Sequence, residues 1–342
     1  MPKKTLPLLP LKDFWLPVLP LLPLVIFTAL LSGFIDFESR ELDFLKFAFA
    51  EKYLETTIRN YTHIGDLMTY YSISLMHIAI CISVIFYFVH AANTLPKEEK
   101  TKSRVFLLSI STLLAAVIFC FAEWANDIVL VQLGFKATCV AIDGANLATR
   151  LIKPGACFEE GYVSTLTWLA WLPTFAGMGA VVFAAAFAYG NAGGLPAHDD
   201  PAWRNVAEQR IKALQRSVYA LSAVLVSSTI TITLFASLPR NLFGPQGADL
   251  AKAMSGYVSG LSTFWGVLFS LTLVATFAVP AWRMLEQTYG RQTATGEAAD
   301  LRAWLHEHVF VSFRKQLGNA LVVLAPLLTG SFSSIFSFLL GK

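Results

Sequence analysis

Charge is what this sequence has least of. Asp, Glu, Lys and Arg make up 14% of its 342 residues, whereas 55% are hydrophobic and the mean hydropathy is +0.57. A soluble domain carries roughly a quarter charged residues on its surface, so that class is excluded and a polytopic membrane protein is indicated. Cysteine is scarce as well, four in all, and no C-x-x-C pair occurs, which excludes the reactive dithiol chemistry of membrane thiol oxidoreductases. P-loop, dinucleotide and zincin patterns are missing, and GYVSG at 256–260 lacks the serine spacing and the partner histidine of an intramembrane serine protease. His306 and His308 supply at most half a metal site, with only His198 in addition on the same side. His77 and His90 have the spacing of a two-haem helix but no matching second helix. No catalytic residue, metal, cofactor or nucleic-acid partner is therefore expected, and the chain reads away from an enzyme.

Long apolar runs are what it does have. Those at 14–35, 70–93, 105–126, 164–189, 217–238 and 257–282 each have the length of a membrane-crossing helix, about 20 residues. A seventh at 319–341 contains Pro326 and Gly330 and is read either as a span or as a re-entrant helix buried in protein. The run at 14–35 is longer than the core of a signal peptide and ends LLSGF without a small-x-small cleavage site, so it is read as the first span. Pro17, Pro20 and Pro23 suit an extended start to it better than a helix interior.

The expected fold is an all-α polytopic transmembrane helical bundle of six to seven spans, a single integral membrane domain over 1–342. Its outer loops are 36–69, 127–163 and 239–256, and its cytoplasmic segments 1–13, 94–104, 190–216 and 283–318. This arrangement places 16 of the 26 Lys and Arg on the cytoplasmic side, and Trp15 and Trp282 at inner ends with Trp124, Trp168 and Trp171 at outer ends. The N-terminus is then cytoplasmic. Amphipathic helices are expected at 37–60, where seven acids against four bases in 34–69 suit the outer side, and at 201–216. In the second, Asp200 and Pro201 form a helix start and no breaker follows before Leu238, so one helix should run from the cytoplasmic surface into the span. LPKEEKTKSR reads as a cytoplasmic hairpin loop. Small-residue ridges at Ala176, Ala180, Ala184 and Ala188, and at Ser262, Gly266 and Ser270, should carry close helix packing.

The candidate intramembrane polar site is His77, Glu123, Asp127, Tyr70 and Ser74. Glu123 and Asp127 lie on one stripe with Ser109, Thr112, Ala116 and Cys120, and an ionisable group in a bilayer-length helix is a functional hypothesis by default. Tyr70, Ser74, His77 and Cys81 share a face of the preceding span, with His77 about 10 Å inside the outer boundary at 1.5 Å per residue. A short connecting loop makes these two spans expected neighbours, so a carboxylate beside an imidazole could relay a proton or gate a path. Ser222, Thr229 and Thr233 form a hydroxyl stripe that is the candidate pathway lining, against the common alternative that such hydroxyls bond the carbonyl four residues back. Cys139 and Cys157 fall in one exported loop and are expected to form a disulfide.

The expected function is a conduit, a transporter or an oligomeric channel for a small solute or ion. The alternative is a non-catalytic membrane assembly, signalling or pore-forming effector subunit, and a membrane-embedded enzyme comes last. Partners are the lipid bilayer and either further copies of the chain or the other subunits of a membrane complex. The expected location is the cell membrane, multi-pass, as in a bacterial inner membrane.

Overall fold

A computed structural model describes residues 16–23, 61–125, 165–193, 203–238, 248–294, 321–322 and 324–330. Among these residues the regular structure is entirely helical. A 3-10 helix covers Leu16–Leu21, where Pro17 and Pro20 leave too few N–H groups for an α-helical ladder. Five long α-helices follow: α1 (Tyr61–Asn93), α2 (Lys97–Ala125), α3 (Thr165–Asn191), α4 (Trp203–Ser237) and α5 (Ala248–Ala294). A short helical stretch at 324–330 comes last.

Four segments are long and apolar enough to cross a membrane: Gly65–Asn93, Trp171–Asn191, Asn205–Ser237 and Val258–Gln287. They contain or overlap the expected spans at 70–93, 164–189, 217–238 and 257–282. The helices overrun those spans. α5 has 47 residues, about 70 Å of helix against a hydrocarbon core of about 30 Å, so it carries on beyond the apolar layer. α4 runs unbroken over Trp203–Ser237, the stretch expected to form one continuous helix.

LPKEEKTKSR, expected as a loop, is helical from Lys97 onward, and only Thr94, Leu95 and Pro96 connect α1 to α2. The reason is local. Pro96 cannot continue α1 but can precede a new helix, its carbonyl accepts from Lys100 N at 2.8 Å, and Glu98 and Glu99 favour the positive end of α2. Thr94 Oγ1 donates to Ala91 O at 2.7 Å and closes the end of α1. The expected span 14–35 is described only at 16–23. The amphipathic helix expected at 37–60 and most of the run 319–341 lie outside the described residues.

α3 is the wall between two cores. One of its faces gives the fully buried Ala180, Ala184 and Ala188 to a cluster with Phe88 of α1, Leu221 and Val224 of α4 and Leu273 of α5. The other gives Val182, Ala185 and Ala186 to a cluster with Leu16 and Leu21 of the 3-10 helix and Phe106 and Ile110 of α2. Alanine on both faces lets four helices approach closely, as the ridge from Ala176 to Ala188 predicted. Near the C-terminal end of α3, Tyr189 stacks on Phe106 with ring centres 4.6 Å apart, and the Arg283 guanidinium lies over it at 5.6 Å.

One expectation of neighbourhood fails. α1 and α2 are joined by three residues yet barely touch, because α3 enters between them and takes the main contacts of both. Side chains such as Leu75, Phe86 and Leu108 point outward, as lipid-facing residues do.

Candidate functional site

His77 lies on α1, twelve residues in from Gly65 and sixteen from Asn93, so about 18 and 24 Å from the two ends of the apolar segment. Its side chain is 1% exposed and is enclosed by α3 and α4. Nδ1 lies 2.7 Å from Ser227 Oγ of α4, and Nε2 lies 3.1 Å from the carbonyl oxygen of Pro173 in α3. Ser228 Oγ stands 3.4 Å from Nε2. Cys81 Sγ, one turn along α1, is 3.4 and 3.7 Å from the two nitrogens, so it addresses the ring rather than a single lone pair.

The local sequence explains the fit. Pro173 has no N–H to give to Leu169 O, but α3 runs on through it, and its own carbonyl oxygen accepts from His77 Nε2. One turn later Gly177 leaves room for the imidazole: a Cβ there would stand 3.5 Å from His77 Nε2 and 3.3 Å from Ser228 Oγ. Three helices therefore meet at one imidazole with hydroxyl and carbonyl partners.

Tyr70, Ser74 and Cys81 are buried on the same face of α1 as His77, as their spacing required. Tyr70 packs on Phe235 of α4 with ring centres 5.6 Å apart, and Ser74 has Tyr70 as a polar neighbour one turn earlier. Glu123 is on α2, but its side chain lies outside the described residues, as do Asp127, Cys139 and Cys157. The two ring nitrogens that a pairing with Glu123 would use are engaged by Ser227 and Pro173.

The hydroxyls of the expected pathway stripe turn toward protein. Ser222 Oγ donates to Val322 O at 2.7 Å, and Thr229 Oγ1 to Leu225 O at 2.9 Å. Thr233 Oγ1 lies 2.7 Å from Thr229 O and 2.8 Å from Ser262 Oγ of α5, which itself donates to Gly330 O at 3.0 Å. The stretch 324–330 is drawn so close to α5 that a Cβ on Gly266 would lie 2.6 Å from Pro326 O. Ser222 thus ties α4 to Val322, Thr233 ties α4 to α5 and Ser262 ties α5 to the last helical stretch, while Thr229 bonds back along its own helix.

A second polar cluster escaped the sequence reading. Arg210 of α4 holds Glu99 of α2 with Nη2 at 2.7 Å from Oε1 and 2.9 Å from Oε2, and both side chains are under 10% exposed. Its Nη1 donates to Gly193 O at 2.7 Å, just beyond α3, while Asn191 Nδ2 donates to Arg210 O at 3.0 Å. One guanidinium on α4, a planar five-donor group suited to that task, thus clamps the start of α2 and the end of α3. A cation at the carboxyl end of α3 also suits the helix dipole. A signal was present: Arg210 lies three residues after Ala207 and four before Leu214, both buried, so it is on the packed face of α4. Glu99 gave none, being one of two adjacent acids among four bases.

Among the described residues no three His, Cys, Asp or Glu side chains come together. The chain matches no protein-family model, no curated protein sequence and no solved structure, so its geometry and chemistry alone carry the functional reading.

Proposed function

We propose that the chain is an integral membrane conduit that moves a small solute or ion across the cell membrane, with His77 at the centre of its path. One observation carries this reading: a titratable side chain is fully buried within an apolar span, with a backbone carbonyl of one neighbouring helix and a hydroxyl of another as its partners. Ionisable groups inside an apolar span are costly unless used, and they mark the paths of pumps and transporters. In the full proposal the single domain crosses the membrane six or seven times from a cytoplasmic N-terminus, as in a bacterial inner membrane. Tyr70 and Ser74 extend the polar face outward from His77, and Glu123 and Asp127 supply acid at the outer mouth. A Cys139–Cys157 disulfide closes the exported loop, and copies of the chain associate in the bilayer.

The test is reconstitution. Purified chain in liposomes carrying internal pH and ion reporters should dissipate an imposed proton, cation or anion gradient faster than empty vesicles, and His77→Leu should slow it. Dissipation equal to that of empty vesicles under every gradient overturns the proposal.

A second reading is favoured by Ser222, Thr229 and Thr233, whose hydroxyls bond backbone and a neighbouring helix instead of lining a path. Such use of polar groups suits a non-catalytic subunit of a membrane assembly. Co-purification of a stoichiometric partner together with absent flux would select it.

A further inference from the structure

The donors and acceptors around His77 can be counted. Pro173 O only accepts, so Nε2 must carry a hydrogen to use its 3.1 Å contact. Ser227 has one hydroxyl hydrogen and two possible uses for it. Its Oγ lies 2.9 Å from Val224 O, which can only accept, and 2.7 Å from His77 Nδ1, which accepts when bare and donates when protonated.

Two complete arrangements follow from the same heavy-atom positions. With neutral imidazole, Nε2–H donates to Pro173 O and the Ser227 hydroxyl donates to Nδ1. With imidazolium, a proton has bound the Nδ1 lone pair, Nδ1–H donates to Ser227 Oγ, and the Ser227 hydrogen has swung to Val224 O. One proton is gained, the charge rises by one, and Nε2–H is unchanged. Neither state leaves a ring nitrogen without a partner, which is what a buried polar group needs in order to change protonation without unfolding its surroundings.

We infer that His77 is a proton-binding site whose two states are both accommodated by rotation of the Ser227 hydroxyl, with Nδ1 as the atom that gains and loses the proton. Ser227 is a positioning residue in this scheme. The groups facing the ring are the Cys81 thiol from α1, Pro173 O and Gly177 from α3, and the Ser227 and Ser228 hydroxyls from α4. No carboxylate among the described side chains touches it, so the hydroxyl and carbonyl dipoles solvate the imidazolium. The inference deepens the conduit reading, on which its biological use rests, by making the proton the species that the site takes.

The experiment is nitrogen NMR of full-length protein, labelled with 15N in histidine and held in nanodiscs, with the His77 signals assigned by their loss in His77→Gln. At high pH the wild type should show Nε2 protonated and Nδ1 bare, and on acidification Nδ1 alone should change. Ser227→Ala removes the partner of Nδ1 in both states and should weaken proton binding about five- to tenfold, because a hydrogen bond from a charged ring is worth more than one to the neutral ring. Ser228→Ala, at the longer contact, should change it less than threefold. A neutral form protonated at Nδ1, a titration that Ser227→Ala leaves in place, or no titration between about pH 4 and 9 would each overturn the inference. The wild-type tautomer decides even where Ser227→Ala does not fold. Liposomes without flux but with this titration intact would fail the conduit and keep the proton site, and flux without titration would do the reverse.

Discussion

The imidazole cluster and the guanidinium clamp tie some of the same helices together by opposite means. At His77 every contact is to a neutral group, and the hydroxyls keep a second way of arranging their hydrogens. At Arg210 the charges are matched, both carboxylate oxygens of Glu99 are taken, and a backbone carbonyl holds another guanidinium nitrogen. The first arrangement tolerates a change of charge and the second does not. A buried group is thus rigid or switchable according to whether its partners have alternatives, and burial alone does not decide it.

That contrast is breakable. Glu99→Leu should have the largest effect, because it leaves the buried Arg210 guanidinium without its carboxylate; a loss of about 3 to 5 kcal/mol is expected, read by thermal unfolding in detergent. Adding Arg210→Met should recover most of it, since the double variant buries no charge. If the double variant is no better than the single one, the clamp is not an isolated pair. Gly193→Ala comes next. Its Cβ would stand 2.6 Å from Glu99 Cγ and 2.7 Å from Oε1, and Glu99 is held and cannot swing aside, so a loss of about 1 to 3 kcal/mol is expected.

His77→Leu should cost less, about 1 to 2 kcal/mol, because the two bonds it removes, to Ser227 Oγ and Pro173 O, are to neutral groups and the Ser227 hydroxyl keeps Val224 O as an acceptor. A loss as large as that of Glu99→Leu would erase the distinction between the two sites. Gly177→Ala, with its nearest contact at 3.3 Å, should change stability by less than about 1 kcal/mol while slowing any flux. Smallest of all is Lys102→Ala. It breaks an exposed pair to Glu98 at 3.2 Å on the helix that carries Glu99, and should leave stability within about 0.5 kcal/mol of wild type.

What the sequence could reveal follows the range of the interaction. Four apolar segments, the continuity of α4 and the alanine ridge of α3 depend on composition and on spacing within one helix, so all were legible. The burial of Tyr70, Ser74, His77 and Cys81 on one face of α1 was legible for the same reason. His77's partners were not, because Ser227 is 150 residues away and Pro173 is 96, and the rule that a tight loop makes neighbours fails when a later helix inserts between the pair. Glu99 looked like one charge among several in a loop. The helix starts earlier than expected because Pro96 and two acids favour a start there, and Glu99 is thereby fixed to face Arg210, 111 residues on.

The place of α3 also sets an order of assembly. α1 and α2 leave the ribosome before α3, yet their main contacts are to α3 and not to each other. Early in synthesis they are two helices with little common interface, with His77 lacking Pro173 and Ser227, and Glu99 lacking Arg210. Insertion of α3 provides the surface on which both settle, and only α4 supplies the hydroxyls and the guanidinium. The protein therefore joins its first pair of helices only through the third, and a chain halted before Arg210 would present an unmatched Glu99 and an unsatisfied His77 to any quality-control machinery that samples the membrane.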